Sequence, residues 1–391
     1  MIAGSLHLAW RYVARHRLQT LLLSGALGLV LALPLCVHIV VREAQNAMRS
    51  RAAVTPQIIG ARGSALDLLL TALYFKLQPL PTIPAATVTE IRATGLGAAI
   101  PLHIRFHAQG APIIGTELEY FPFRTLQLAQ GKMISRLGDC VIGARLAANR
   151  GLQPGSQLFS SQEQVFDLAG IYPLKMRITG ILAPNGTPDD DAIFVDLKTT
   201  WLIQGLAHGH EELAGKADLT LKQEDGNTIG NAAVRIYNEV TDTNLDSFHF
   251  HGDTGQYPIS AVIALPRDAK SEALLAGRYL KTDNPLQLIR PLDEFDNLIR
   301  TLFQIQNLVL GLLGLIALAA LSVAALVFAL SFRLRQRQFQ TLADLGVARS
   351  SLLVTKTLEV ALVGALGIVI ALLLALLVRL NATSWIGVLL R

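Results

Sequence analysis

The sequence predicts a membrane protein with α-helical transmembrane spans and a mixed α/β extracytoplasmic domain. Three observations predict this fold class. Long apolar runs begin near residues 18, 302 and 352, only 16% of the residues are charged, and the middle of the chain alternates strand-like and helix-like segments. Soluble globular chains carry about 25% charged residues. A deficit this large indicates that part of the 391-residue chain lies in lipid.

The N-terminal region predicts an interfacial helix followed by the first span. Residues 1–17 combine Trp10 with three arginines at helical spacing, which is typical of a helix lying on the cytoplasmic membrane interface. Residues 18–41 are long enough to cross a hydrocarbon core of about 30 Å. Because this run exceeds the roughly 7–15 apolar residues of a signal peptide, we expect an uncleaved signal anchor.

Two further apolar runs flank a short basic segment. Residues 301–332 predict a stalk and a second span, and residues 352–378 predict a third. The segment 333–351 between them is rich in arginine, so the positive-inside rule places it in the cytoplasm. The N-terminus is then also cytoplasmic, while residues 42–300 and a tail at 379–391 lie outside. The net charge of +5 comes largely from arginines that flank apolar runs, which favours membrane topology over nucleic-acid binding.

Polar and small residues inside the spans have two interpretations each. Glu359, near the cytoplasmic start of the third span, is either a snorkelling interfacial carboxylate, which we favour, or a functional group. Recurrent glycines either allow close helix packing in lipid or reflect the ordinary composition of membrane helices. These glycines are Gly25, Gly28, Gly311, Gly314, Gly364 and Gly367.

The extracytoplasmic region predicts a layered α/β or α+β domain. Residues 64–77 are apolar but too short to span a membrane, so they predict a buried or membrane-hugging helix. The prolines from Pro79 onward are expected to end this helix. Pro112 confines its strand to a sheet edge or a strand start. The strand-like segments are 98–106, 111–114, 140–143, 176–182, 192–195, 259–265 and 286–289, and the helical ones are 144–150 and 268–279.

Sequence motifs for enzymatic chemistry are absent. Residues 110–115 have the glycine spacing of a phosphate-binding loop, but Thr116 and Glu117 follow where a lysine and a hydroxyl residue are required. Neither a metalloprotease motif nor a serine-hydrolase motif occurs. The acidic run 189–191 predicts a solvated turn, with a weak cation site as the alternative. We therefore expect a non-catalytic protein.

Two short histidine motifs form the candidate metal-ligating set. In each motif two histidines are separated by one residue, so an extended backbone places both imidazoles on one face. Imidazole and carboxylate ligands suit Zn²⁺, and carboxylates adjoin both motifs in the sequence. The spacing matches no closed structural zinc site, and exposed polar loops are the alternative. The four candidate ligands are His208, His210, His249 and His251.

Several motifs resemble permeases of the FtsX/MacB type. Residues 10–21 resemble the amphipathic N-terminal helix of that family, and residues 138–155, 176–182 and 191–195 resemble its periplasmic core. The resemblance covers most of the chain and thins out over residues 205–255. The most specific motif resembles the family's cytoplasmic coupling segment and reads Arg335-x-Arg337-x-Phe339-x-x-Leu342-x-x-Leu345-Gly346-x-x-Arg349.

The resemblance implies a transmembrane subunit of an ABC transporter that binds no nucleotide itself. Its energy would come from separate cytoplasmic ATPase subunits, each contacting one copy of a permease homodimer in a bacterial inner membrane. The implied partners also include lipid and a periplasmic adaptor or binding protein but no nucleic acid, and ATP stays on the ATPase. The residues implied in ATPase coupling are Arg335, Arg337, Phe339, Leu342, Leu345, Gly346 and Arg349.

The same resemblance implies how the coupling segment works. Its arginines would pair with acidic groups of the ATPase, while Phe339, Leu342 and Leu345 would fill an apolar groove there. Movement would then pass through rigid spans to the outer domain; a plain topogenic basic turn is the alternative. The chain departs from the family in one respect, because family members have a fourth span and residues 379–391 are too short to form one.

Three functional classes fit the sequence. The first is ATP-driven transport or extrusion of a substrate that the sequence does not identify. The second is transport of a metal such as zinc, or of a metallophore, which the periplasmic histidines favour. The third is a signalling permease that regulates a cell-wall hydrolase. Zn²⁺ binding favours the second class, whereas co-purification with a membrane-fusion protein or with a hydrolase favours the first or the third.

Overall fold

The chain forms two compact units. The structure, a computed structural model, describes residues 2–161, 173–210, 220–224, 227–230, 237–281 and 283–389. One unit consists of Met1–Arg49 with Asn297–Arg391, and the other of Ser50–Asp296. The first is helical, and the described strands all belong to the second. We call them the helical unit and the α/β unit.

The described elements include the predicted strands and helices, together with several that were not predicted from the sequence. The helices are α1 (Ile2–Arg15), α2 (Arg17–Ala53), α3 (Ala65–Tyr74), α4 (Ala86–Ala93), α5 (Tyr120–Phe123), α6 (Ala144–Arg150), α7 (Leu197–Ile203), α8 (Ala269–Arg278), α9 (Pro291–Leu334), α10 (Gln336–Asp344) and α11 (Arg349–Leu389). The strands are β1 (Gln57–Ala61), β2 (Ile83–Pro84), β3 (Gly97–Ala108), β4 (Ala111–Thr116), β5 (Leu128–Gly131), β6 (Asp139–Ile142), β7 (Gln157–Phe159), β8 (Lys175–Leu182), β9 (Ile193–Asp196), β10 (Ala207–Gly209), β11 (Thr220–Glu224), β12 (Asn227–Gly230), β13 (Phe248–Phe250), β14 (Pro258–Ile259), β15 (Ala261–Pro266) and β16 (Leu286–Ile289).

Three apolar helices match the three predicted spans. Both α2 and α11 extend beyond the predicted apolar runs, because the polar residues after the first run have high helix propensity and do not end the helix. Residues 379–389, predicted as a separate tail, continue α11. The stretches long and apolar enough to cross a membrane are Arg17–Ala53, Asn307–Leu334 and Arg349–Asn381.

The glycines of the apolar helices divide into two groups. α2 and α11 approach closely at Gly28, where an added Cβ would lie 2.7 Å from Ile370. A Cβ at Gly367 would lie 3.1 Å from Leu27, so the close-packing interpretation holds for this pair of glycines. The remaining four meet open space and fit the alternative of ordinary helix composition; they are Gly25, Gly311, Gly314 and Gly364.

The α/β unit is built on a ten-stranded mixed sheet. The strand order is β16-β1-β15-β3-β4-β9-β6-β8-β5, and β7 also pairs with β8. The β4–β9 and β6–β8 pairs are parallel, and the other pairs of this sheet are antiparallel. The predicted mixed α/β architecture is therefore confirmed.

Local sequence features account for where two elements begin and end. Pro112 is the second residue of β4 and precedes Ile113, where the pairing of β4 with β9 begins, so the predicted strand start is confirmed. Helix α3 is buried, which is one of the two alternatives predicted for it. It ends before the prolines, because Phe75 adopts the left-handed conformation with φ of 56° and donates its N–H to the Thr71 carbonyl.

Hydrophobic clusters stabilise both halves of this sheet. One cluster gathers around β6, β8 and β9, and includes Ile142 and Ile193. Another gathers around β1, β15, α4 and α8, and includes Ile91 and Leu275. Phe250 of β13 packs against both clusters. The short β10–β13 strand pair is thereby attached to the core of the unit through one of its faces.

Candidate functional site

A basic junction joins the second and third apolar helices. Helix α9 ends at Leu334, Arg335 forms the turn, and α10 begins at Gln336. The chain reverses after α10 at Gly346, whose φ of 88° is one that glycine adopts readily. The predicted coupling segment therefore forms a short helix between two turns, and α11 follows it directly.

Arg335 is held by contacts on three sides. Its guanidinium donates two hydrogen bonds to Glu359, at 2.7 and 3.2 Å, in a bidentate ion pair. Its Cζ atom lies 3.5 Å from the centroid of the Tyr12 ring and 4.9 Å from that of Phe339. A planar guanidinium favours both kinds of contact. Arg335 therefore connects α1, α10 and α11 within the helical unit.

Phe339 also lies inside the helical unit. Only 9% of the residue is exposed, and the Lys356 ammonium lies 4.5 Å from the centroid of its ring. The ring of Phe332 is 6.5 Å away, between centroids. Phe339 and Arg335 thus anchor α10 to its neighbours, so their contacts in this structure are internal.

The other predicted coupling residues reach the surface. Leu345 is 76% exposed, and Leu342 is half-buried. Arg337, Gly346 and Arg349 are exposed. We call these five residues the coupling surface. It presents basic and apolar groups together on α10 and at the start of α11, where a partner protein can reach them.

Glu359, which we favoured as a snorkelling interfacial carboxylate, is paired inside the helical unit. Only 3% of the residue is exposed, and both carboxylate oxygens accept hydrogen bonds from Arg335. The turn at the end of α9 places Arg335 against α11, so the carboxylate meets a guanidinium instead of extending towards solvent. A buried carboxylate paired in this way positions the basic junction instead of contacting solvent.

The four predicted metal ligands come together on a two-stranded ribbon. β10 pairs antiparallel with β13, and His208 lies directly opposite His249. The centroid of the His208 ring lies 4.8 Å from that of His249 and 4.7 Å from that of His251. The His210 ring lies 5.1 Å from that of His249. We call this strand pair, with its four histidines, the histidine ribbon.

Side-chain alternation gives the ribbon two different faces. Residues two apart in a strand share a face, and directly opposed residues share one too, so all four imidazoles project to the same side. Phe248 and Phe250 project to the other side and pack against the hydrophobic core. Gly209 makes this packing possible, since a Cβ there would lie 2.8 Å from the Phe248 ring. The apolar face therefore fixes the ribbon, and the imidazole face points away from the core.

Tyr257 supports the backbone at one end of the ribbon. Its hydroxyl lies 2.9 Å from the carbonyl oxygen of Leu206 and 2.6 Å from that of His251. Its ring packs edge-on against Trp201, with 5.1 Å between centroids. This one side chain thus links the residue before β10 to the residue after β13.

A hydrogen bond defines the proton position on one of the imidazoles. Nδ1 of His249 lies 3.1 Å from the carbonyl oxygen of Ser247. Since a carbonyl oxygen only accepts hydrogen bonds, Nδ1 carries the proton and Nε2 of the neutral ring keeps its lone pair. That tautomer is the one in which Nε2 is available as a metal ligand.

The surroundings of His208 favour its neutral form. The pKa of His208 is lowered mainly by partial burial, and to a smaller extent by the neighbouring His249, His251 and His210. Within the described residues, the group of close ligand atoms contains His208, His249 and His251 without a carboxylate. Glu211 and Glu212, the carboxylates beside the first motif, lie outside the described residues. Asp253, beside the second, accepts a hydrogen bond from the Gly255 N–H at 2.8 Å.

The acidic run that we predicted as a solvated turn is buried. Asp189 is 1% exposed and forms a bidentate ion pair with Arg51, at 2.5 and 3.1 Å. The Tyr120 hydroxyl donates to the same carboxylate at 2.8 Å. Nearby, Arg124 donates to Thr55 at 2.9 Å. The solvated-turn prediction is wrong because Arg51, at the end of α2, neutralises Asp189 inside the α/β unit; we call Arg51, Tyr120 and Asp189 the buried charge cluster.

Electrostatics within this cluster favour the charged carboxylate. Burial alone would raise the pKa of Asp189, but the charge and hydrogen bonds of Arg51, with hydrogen bonds from Thr187 and Tyr120, lower that pKa to about 2. Burial raises the pKa of Tyr120, and the adjacent Asp189 charge raises it further. The cluster is therefore an ion pair with a neutral phenol hydrogen-bonded to it. Such an arrangement stabilises the fold.

Three residues at these sites were not singled out from the sequence as site residues. Tyr12 and Tyr257 carry no motif, and their roles depend on contacts with Arg335 and with the ribbon backbone. Arg51 is one of several arginines that follow the first apolar run. It lies two residues before the end of α2, so it gives a signal only once that helix end is known.

Comparisons with known proteins find distant structural likenesses, of which two are described here. No family model and no curated protein matches the chain. The periplasmic region of MacB from Actinobacillus actinomycetemcomitans is 11% identical, with a TM-score of 0.35, over 63% of this chain and 92% of that one. The extracellular domain of the noncanonic ABC-type transporter YknZ from Gram-positive bacteria is 11% identical, with a TM-score of 0.32, over 60% and 99%. Neither likeness, at these TM-scores, defines the fold or the function of this chain.

Proposed function

We propose that this chain is the transmembrane permease subunit of an FtsX/MacB-type ABC transporter. In this role it binds no ATP and catalyses no reaction. It couples ATP hydrolysis by a separate cytoplasmic ATPase dimer to movement of the α/β unit, for transport or extrusion of a substrate. The protein acts as a homodimer in the bacterial inner membrane, with the N-terminus and basic junction in the cytoplasm and the α/β unit in the periplasm, beside an adaptor or binding protein.

The basic junction is the observation that carries this proposal. A short helix with exposed Arg337, Leu345 and Arg349 lies between two helices that are long and apolar enough to cross a membrane. Arginine is enriched at protein interfaces, and the exposed Leu345 beside it offers apolar surface for a partner to bury. A groove on a partner with acidic groups at its edge would complement these side chains.

The internal anchors explain how force would leave the junction. Arg335 joins α10 to α11 through Glu359 and to α1 through the Tyr12 ring. A push on α10 therefore displaces these helices together, because the bidentate ion pair and the packed Phe339 resist local bending. Helix α9 is continuous from Pro291 to Leu334, so it would carry this displacement further along the chain.

The test is assembly with any ABC ATPase that is encoded beside this chain. We expect the full-length chain to form a stable complex with it and to change its rate of ATP hydrolysis. The variant Arg337→Glu/Leu345→Asp alters two exposed groups and leaves both internal anchors intact. We expect it to weaken assembly by at least about 2 kcal/mol, roughly 30-fold in affinity, because it removes two interface groups and introduces like charges opposite an acidic partner.

A charge reversal elsewhere gives the matched control. Lys270→Glu alters an exposed charge in α8 of the α/β unit, and we expect normal assembly and coupling. Equal assembly of Arg337→Glu/Leu345→Asp and wild type, with unchanged ATP hydrolysis, would show that the coupling surface does not contact an ATPase. The chain would then be better described as a membrane-anchored α/β domain.

A further inference from the structure

The histidine ribbon has the geometry of a metal site. The ligand atoms of His208, His249 and His251 all lie within 4.8 Å of one another, and the His210 ring centroid is 5.1 Å from that of His249. Two nitrogens bound to one tetrahedral Zn²⁺ are about 3.4 Å apart. Rotation about the side-chain torsions would have to bring the nitrogens to that separation on the existing backbone. The remaining difference is therefore a change of rotamers on an already paired strand ribbon.

The chemistry of the four groups selects the kind of ion. Neutral imidazole nitrogen suits Zn²⁺ and other late first-row divalent cations, whereas Mg²⁺ and Ca²⁺ prefer oxygen ligands. Nδ1 of His249 donates to the Ser247 carbonyl, so its Nε2 is directed to the ligand role. Because His251 is exposed, an ion in solution can reach the cluster without opening the core.

The apolar face of the ribbon argues against an accidental meeting of exposed histidines. Phe248 and Phe250 pack against the core, and Tyr257 holds the backbone at Leu206 and His251. Each strand is thus fixed by contacts that do not involve an imidazole. A site fixed before the ion arrives loses little conformational entropy when it binds.

We propose that His208, His210, His249 and His251 form a Zn²⁺-binding site on the α/β unit. The site depends only on the geometry of that unit. Its use rests on the proposed function: in the periplasmic part of an ATP-driven permease, the ribbon would capture Zn²⁺, or a Zn²⁺-bearing carrier, before transport. Failure of the metal site would leave the ATPase-coupling role unaffected, since the two involve different residues and different measurements.

The experiment titrates the full-length chain with Zn²⁺. The chain is purified in detergent without a polyhistidine tag, stripped with a chelator, and titrated in competition with a chromophoric zinc indicator. We expect one Zn²⁺ per chain, bound stoichiometrically at a protein concentration of about 10 µM, and a higher melting temperature in its presence. Mg²⁺ at the same concentration should neither compete nor stabilise.

Variants in the ribbon locate the site. His208→Ala/His249→Ala removes the directly opposed pair and should weaken Zn²⁺ binding about 100-fold or more. His251→Ala, at an exposed position, should weaken it about 10-fold and tests the site even where the double variant does not fold. His107→Ala is the matched control, since that side chain is exposed in the same unit outside the ribbon, and it should bind like wild type.

Two results would overturn the proposal. One is wild-type chain that binds no Zn²⁺ at equimolar concentration while its melting temperature stays unchanged. The other is equal Zn²⁺ affinity in wild type, His251→Ala and folded His208→Ala/His249→Ala, which would assign the binding to other residues. Measurement without the ATPase keeps either result separate from the test of coupling.

Discussion

The buried charge cluster and the histidine ribbon both gather polar side chains in the α/β unit, but they are composed in opposite ways. The cluster pairs unlike groups, since Asp189 accepts hydrogen bonds from Arg51, Tyr120 and Thr187. The ribbon repeats one group four times on a single face. The cluster lies inside the unit, whereas the ribbon reaches the surface through His251.

This difference separates a site that is completed within the fold from one that we propose to bind an ion. A carboxylate whose oxygens are all engaged by a guanidinium and hydroxyls needs no further ligand, so its removal affects the fold. Each neutral imidazole of the ribbon has one nitrogen lone pair that a metal ion could bind. Loss of a member of the cluster should therefore lower the stability of the fold. Loss of a histidine of the ribbon should lower the affinity for an ion.

Breaking the buried charge cluster should give the largest effect. Asp189→Asn leaves the Arg51 guanidinium inside the unit without its countercharge, which costs about 3–5 kcal/mol of unfolding free energy. The measurement is denaturant unfolding of the full chain in detergent, followed by the fluorescence of Trp201 in a Trp10→Phe/Trp385→Phe background. Asp191→Asn is the control, because Asp191 is only partly buried and pairs with a half-exposed Arg145, so it should cost at most about 1 kcal/mol.

The same variant has a signature in acid. The pKa of Asp189 is lowered in the folded state, from 3.8 to about 2. Its stabilising contribution is therefore fully present above pH 3.8 and is lost as the pH falls towards about 2. Asp189→Asn should remove this part of the pH dependence. Identical acid unfolding curves of variant and wild type would show that Asp189 does not carry it.

Local elements of this fold were predictable, and long-range pairings were not. The segments 98–106, 176–182 and 286–289 became β3, β8 and β16, because period-two patterning and turn residues act within a few positions. The Arg51–Asp189 pair joins residues 138 positions apart. Hydropathy alone predicts that an acidic run is exposed to solvent. Because the partner Arg51 could not be identified from the sequence, residues 189–191 were wrongly predicted as a solvated turn.

The two candidate sites show the same division. The spacing of each histidine motif predicted two imidazoles on one face, whereas bringing the motifs together required the antiparallel register of His208 with His249. The coupling motif predicted the location of the basic junction. It did not predict which of its residues have internal contacts. Arg335, for example, is held by Glu359, which lies 24 positions away in the sequence.

Breaking the ion pair of the basic junction should have an intermediate effect on stability. It extends the comparison to a third group of polar side chains. Glu359→Gln removes the carboxylate charge but keeps one acceptor oxygen, and Arg335 retains its contacts with the Tyr12 and Phe339 rings. We expect the free energy of unfolding to fall by about 1.5–3 kcal/mol, which is the range for a hydrogen bond to a charged group. Faster tryptic cleavage after Arg337 in the full chain would report the loosened α10.

An exposed carboxylate in the same junction provides the control for this change. Asp344 ends α10 and is exposed, so Asp344→Asn should leave both the melting temperature and the cleavage rate close to wild type. If Glu359→Gln and Asp344→Asn behave alike, the Arg335–Glu359 pair does not hold α10, and force transmission through it is excluded.

Loosening the support of the histidine ribbon should give the smallest effect on stability and the most specific effect on binding. Tyr257→Phe removes the hydroxyl near the Leu206 and His251 carbonyls without altering an imidazole, and it should cost about 1 kcal/mol. Because His251 then loses its backbone support, Zn²⁺ affinity should also fall, by about 10-fold. Tyr279→Phe, a hydroxyl removal at the end of α8, should change neither quantity appreciably. A loss of stability in Tyr257→Phe with unchanged Zn²⁺ affinity would mean that the four imidazoles find their ligand positions without a fixed ribbon, and the distinction between a preformed site and a chance cluster of histidines would then fail.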